Sequence, residues 1–163
     1  MLSFQTILPH TLELLKQIMA IPLFGSLRLV GGTALAYRID GVKIDFVNYS
    51  RYPWIDDPVI EDGILLASPK DIAAMKVNAI IGRGSRKDFV DIYYLLQHFT
   101  LDEILSFYQQ KYSNASLFRA LLSLTYFNDA ELQYMPEMLE DVGWDEMKQT
   151  ILKAVKDYNN RNV

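Results

Sequence analysis

Lys76, Arg83, Arg86, Lys87, Asp88 and Asp91 crowd into one stretch, Ser68 to Leu96, around a Gly82-Arg83-Gly84 break. Charges of both signs gathered at one helix break make this stretch the first candidate for chemistry, since functional sites are where interacting titratable groups cluster. Upstream, Gly31-Gly32-Thr33 follows the short apolar run Leu27 to Val30 and precedes the helix-forming run Ala34 to Arg38. A buried strand, two glycines and a helix start bring backbone N–H groups close to an anion. A tight strand-to-helix turn is the plainer account of the same residues. Asp45 stands in the middle of a strand read over Val42 to Tyr49, where an unpaired buried carboxylate is costly. It lies on a solvated face, pairs with a lysine or binds a metal.

Each charged group also has a bland explanation. Lys76 and Asp88 make a structural ion pair between adjacent helices. Arg83, Arg86 and Lys87 make a solvated loop. Phe89, Tyr93, Tyr94, Phe107 and Tyr108 belong to the core rather than to a base-stacking platform.

The elements that position these residues follow from periodicity and capping. Leu12, Leu15, Ile18 and Met19 recur at helical spacing after Thr11, an N-cap, and Pro22 and Gly25 close that helix. Val59-Ile60 and Ile64 to Leu66 flank Glu61-Asp62-Gly63 as a hairpin. Ser68-Pro69-Lys70-Asp71 starts a helix, with serine as N-cap and proline at the first position. Ile72, Met75, Ala79 and Ile80 form its apolar stripe, and Lys76 borders that stripe. Ser85 to Asp88 repeats the capping pattern ahead of a face formed by Phe89, Ile92, Tyr93 and Leu96. Thr100 to Glu103 is a capping box. Leu117 to Leu124 is a strongly apolar helix. Asn128 to Pro136 is an irregular connection. Trp144, Met147, Ile151 and Val155 mark a last helix whose tail frays from Asn159. The expected fold is α+β: an α/β part over residues 1–67 and a helical bundle over 68–163, packed as one compact unit.

The 163 residues are 50% hydrophobic and 22% charged, with a formal net charge of −4, the balance of a soluble globular protein. A strongly basic nucleic-acid module would look different, while the net charge leaves room for a local basic groove. The absence of cysteine excludes a disulfide scaffold and cysteine zinc sites, and it fits a reducing cytoplasm. His10 and His98 are too far apart in sequence to indicate a His-rich metal site. No signal-peptide pattern and no apolar run of about 20 residues is present, so no membrane contact is expected.

The central block carries a resemblance. Leu29 to Arg38, Asp71 to Lys76, Arg83 to Tyr93, Pro136 to Leu139 and Trp144 to Lys148 are similar to successive motifs of the AbiEii/AbiGii nucleotidyltransferase toxins. The resemblance implies a reduced polymerase-β-like mixed sheet with flanking helices, followed by a helical bundle. It implies the toxin half of a bacterial toxin–antitoxin or abortive-infection system. Its ligands would be a nucleoside triphosphate and Mg²⁺, its acceptor an RNA such as tRNA, and its partner a cognate antitoxin. Carried over residue by residue, Gly31, Gly32 and Thr33 hold the triphosphate and Lys76 neutralises its charge. Arg83 and Lys87 contact phosphate or RNA, and Asp88 orients Lys76 or the nucleophile.

The sequence departs from the family at the metal site. Two carboxylates on one strand hold the Mg²⁺ ions in such enzymes. Here Arg38-Ile39 runs straight into Asp40-Gly41-Val42-Lys43-Ile44-Asp45-Phe46, with no Asp-x-Asp pair. Either Asp45 is the second carboxylate and Lys43 replaces the first, or Val42 to Phe46 is a later family strand and an internal segment is deleted. Asn48-Tyr49 and Tyr52-Pro53-Trp54 resemble the family's residues just after that later strand, which favours deletion. The residues therefore fit a shortened member that binds nucleotide, RNA or an antitoxin. An active Mg²⁺-dependent transferase would need Asp45 with a further carboxylate, Asp40 or Asp88. A shortened sheet also leaves an edge for a homodimer.

Overall fold

The computed structural model describes residues 8–22, 27–28, 36–39, 42–45, 51–136, 138 and 140–162. The chain divides into two units, residues 1–52 with 56–68, and residues 53–55 with 69–163.

In the first unit, α1 (Pro9–Ala20) starts at Pro9, with Leu8 in the N-cap position, and not after Thr11. Proline has no N–H to lose at the first helical position, and its fixed φ presets the turn. Ile18 is buried, and α1 packs on β4 (Ile64–Leu66). Lys16 pairs with Asp62. Leu27 and Arg28 are not in a strand, contrary to expectation, and the Arg28 guanidinium donates to the Asp56 carbonyl at 2.8 Å.

The run read as a helix after the glycines is also corrected. Ala36–Ile39 forms β1 and Val42–Asp45 forms β2, antiparallel, with Ala36 opposite Asp45 and Ile39 opposite Val42. Periodicity cannot separate helix from strand in so short an apolar run. A helix of this length would also be dominated by its nucleation cost, whereas the β2 ladder pairs the backbone groups directly. The described part of β2 ends on Asp45; residues 46–49 of the expected strand lie outside the described residues.

The second hairpin matches its sequence signal. β3 (Val59–Glu61) pairs with β4, and Asp62 and Gly63 take φ of 50° and 80°. Two successive positive φ values are what a right-twisted two-residue hairpin needs.

The second unit is helical: α2 (Pro69–Arg83), α3 (Arg86–Leu95), α4 (Leu101–Lys111), α5 (Leu117–Leu124), α6 (Asn128–Glu131) and α7 (Trp144–Asn162). α2 packs against α3, α4 and α5, and α7 against the same three. Ala73 and Ala74, both fully buried, let neighbouring helices approach α2, while Phe89, Ile92, Ile104, Leu105 and Leu124 fill the space around it. Phe89, Phe127 and Trp144 meet with ring centroids 4.9–6.0 Å apart. Of the five aromatics expected in the core, Phe89, Tyr93, Phe107 and Tyr108 are buried, whereas Tyr94 is only half-buried and lines a cleft.

The Thr100 capping box forms, the threonine hydroxyl accepting from the Glu103 N–H at 3.3 Å and the Thr100 N–H donating to Glu103 Oε2 at 2.8 Å. Two expectations change. The connection after α5 contains the short helix α6. The tail does not fray at Asn159: α7 continues to Asn162, Arg161 pairs with Asp102, and Asn162 Nδ2 donates to Asp102 Oδ1 at 3.3 Å.

A buried clasp ties residues 53–55 to the helices. Lys111 and Asp71, both with side chains at 0% exposure, pair at 2.8 Å. The Lys111 ammonium also donates to the Pro53 carbonyl at 2.9 Å and stands 4.4 Å from the Trp54 ring centroid. Asp71 Oδ1 accepts the Ile55 N–H at 3.0 Å. Among the described residues no helix is long and apolar enough to cross a membrane.

Candidate functional site

The helical period builds the candidate site. Lys76 and Arg83 are two turns apart on α2, so they share a face; Asp88 and Asp91 are one turn apart on α3 and share another. Gly84, at φ 53°, reverses the chain between them in a conformation that side chains resist. The two faces then meet, cations against carboxylates.

Asp88 is fully buried and accepts two parallel bonds from Arg83, Nε to Oδ2 and Nη2 to Oδ1, each 2.8 Å. The Ser85 hydroxyl donates to Oδ2, and the Lys76 ammonium lies 3.5 Å from Oδ1. Lys76, 12% exposed, also pairs with Asp91. Ser85 does stand at the N-cap of α3, but its hydroxyl serves Asp88 instead of the helix N–H groups, which corrects the expected capping role.

The two carboxylates differ in their protonation balance. Burial pushes the Asp88 carboxyl up, but the hydrogen bonds from Arg83 and Ser85 and the charges of Lys76 and Arg83 outweigh it and hold the group below its ordinary value. Burial also pushes Asp91 up; there the attraction of Lys76 only partly offsets it, and the carboxyl stays above its ordinary value.

The remaining sequence candidates divide. Arg86 is withdrawn from the cluster and is no solvated loop residue. Its Nε donates to the Ala130 carbonyl at 2.9 Å, its Nη2 to the Glu131 carbonyl at 2.8 Å, and it lies 4.8 Å from the Trp144 ring centroid. Glu131 in turn accepts from Trp144 Nε1 at 3.1 Å and pairs with Lys148 at 2.6 Å. Lys87 is half-buried beside Asp91 at the edge of a cleft of about 390 Å³. Gly31, Gly32 and Thr33 lie outside the described residues, as does the Asp45 side chain.

The described residues do not fit a magnesium centre. A carboxylate offers about four lone-pair sites, and those of Asp88 are taken by Arg83, Ser85 and Lys76. Among the described residues no three His, Asp or Glu side chains converge to hold a metal.

Sequence reasoning missed three participants. Asp91 was visible as a second carboxylate one turn after Asp88, yet its grip on Lys76 was not anticipated. Ser85 was read only as a cap. Lys111 gave no local signal, because its partner lies 40 residues away. A hollow of about 430 Å³, lined in part by Phe99, Thr100, Lys153 and Asp157, shares no residue with the charged cluster.

Comparison with known proteins places these residues inside a family match. The family model described as "Nucleotidyl transferase AbiEii toxin, Type IV TA system" matches residues 40–161. An uncharacterized protein of Aquifex aeolicus (strain VF5) is 37% identical over 130 residues, covering 76% of this chain and 61% of that protein. The chain thus spans less than two thirds of the length of that curated relative. No solved structure matches.

Proposed function

The chain belongs to the AbiEii nucleotidyltransferase toxin family, and on that premise we propose that it binds a nucleoside triphosphate through Lys76 and Arg83 without assembling a metal-dependent transfer centre from its described residues. The observation that carries this reading is the meeting of the α2 cations with Asp88. The buried carboxylate fixes both cations in place before any ligand arrives, so little ordering remains to be done on binding. Asp88 is a positioning residue, saturated by its donors. RNA and a cognate antitoxin are the partners that family membership brings to this proposal.

Thermal unfolding of the protein with each of the four nucleoside triphosphates in Mg²⁺ buffer tests the reading. Stabilisation is expected, and it should weaken in Lys76→Ala. A flat response in the unsubstituted protein would sink it. Labelled triphosphates incubated with tRNA provide the second arm. No incorporation is expected; labelling that disappears in Asp45→Ala would replace this reading with active transfer.

A further inference from the structure

The cleft beside the charged cluster has no role in the phosphate contacts just described. α3 forms one wall, with Lys87, Val90, Asp91 and Tyr94 at one-turn steps along a single face. Pro136, Met138 and Glu140 form the other. The volume, about 390 Å³, falls in the range of small-molecule sites, roughly 300–1,000 Å³. Its lining mixes the apolar surfaces of Tyr94, Met138 and Pro136 with the polar groups of Lys87, Asp91 and Glu140.

We propose that this cleft takes the nucleoside of the bound triphosphate, with the base against Tyr94 and Met138 and the phosphates toward Lys87 and Lys76; this rests on the triphosphate reading above. Continuity supports it. Asp91 lines the cleft and also pairs with Lys76, so the cleft and the cluster are neighbours that share one side chain. Lys87 and Tyr94 are seven residues apart, a span of roughly 10 Å along the helix, which leaves room for a ribose between phosphate and base.

The polar groups name the class of base. At the Tyr94 end stands Glu140, a carboxylate, and an ionised carboxylate only accepts hydrogen bonds. The Tyr94 hydroxyl donates to Glu140 Oε2 at a long 3.4 Å, a contact that an incoming donor can take over. A carboxylate at the base end favours bases with an exocyclic amino group, adenine, cytosine or guanine, over uracil.

Titration calorimetry of the full chain with inorganic tripolyphosphate, ATP, CTP, GTP and UTP, all in the same Mg²⁺ buffer, separates the two claims. At least one amino-bearing triphosphate should bind about 5- to 150-fold more tightly than tripolyphosphate, the contribution of one stacked base. Tyr94→Ala should erase that excess and leave tripolyphosphate affinity unchanged. Glu140→Gln, at an exposed position, should narrow the gap between amino-bearing triphosphates and UTP; it carries the test if Tyr94→Ala does not fold. If tripolyphosphate binds as tightly as every nucleotide, the cleft is not the nucleoside site and the phosphate reading stands. UTP binding as tightly as the others overturns the choice of base. If neither tripolyphosphate nor any nucleotide binds, both readings fall.

Discussion

Replacing Lys111 by methionine should destabilise the protein more than any surface change in it. The Lys111 ammonium has no exposure, and it meets Asp71 Oδ1 at 2.8 Å and the Pro53 carbonyl at 2.9 Å. Methionine keeps most of the volume and removes the charge. The Asp71 carboxylate then stays buried without its cation, which costs about 3–5 kcal/mol. Lost attraction to the Trp54 ring falls within that range. Against a total stability of about 5–15 kcal/mol, the loss is a large share. Lys111→Met combined with Asp71→Leu removes the stranded charge and should recover most of it. Recovery is limited because the Ile55 N–H loses its acceptor, a penalty of about 1–3 kcal/mol. Urea unfolding followed by circular dichroism and tryptophan fluorescence measures Lys111→Met, Asp71→Leu alone and the double variant. A single substitution costing less than about 1 kcal/mol, or a double variant as unstable as the two singles added, would refute the reasoning.

Other consequences are open to measurement. Asp88 titrates below 3.8 when folded, whereas the unfolded chain takes up its proton near 3.8; its contribution is therefore present above that value and lost as pH falls through the folded pKa. Asp88→Asn should flatten this acid limb in unfolding midpoints measured against pH. Thr100→Ala removes the box that opens α4 and should cost about 0.5–2 kcal/mol, read from the same urea transitions. Arg86→Ala should speed hydrogen exchange over residues 128–133, because the Ala130 and Glu131 carbonyls lose their donor. Arg86→Lys should not restore protection, since one ammonium cannot reproduce the guanidinium fork.

How far the sequence could be read depended on the range of each interaction. The starts of α2 and α4 and the Asp62-Gly63 hairpin were legible, because caps and turn residues act over three or four positions. The crossing of Lys76 and Arg83 with Asp88 was half legible: helical spacing puts each pair on a face, but only packing turns the faces together. Arg86 and Lys87, adjacent and alike in sequence, go to different places because successive helical positions diverge by about 100°. The strand at Ala36–Ile39 was hidden by its alanine and tyrosine, which accept either state until β2 pairs with them. The clasp was invisible, since Asp71 reads as an ordinary charge in a first helical turn and Lys111 as an ordinary charge in a last one.

The charged centre and the clasp also differ in how much chain must be assembled before they can exist. Lys76, Arg83, Ser85, Asp88 and Asp91 all belong to one helix–turn–helix hairpin, and the bonds from Arg83 and Ser85 to Asp88 span five and three residues. The contact from Lys111 to Pro53 spans 58. Short loops close early and cheaply, long ones late. The centre can therefore take shape as soon as α3 has left the ribosome, before α4 has emerged, and the later helices meet a hairpin whose polar contacts are local.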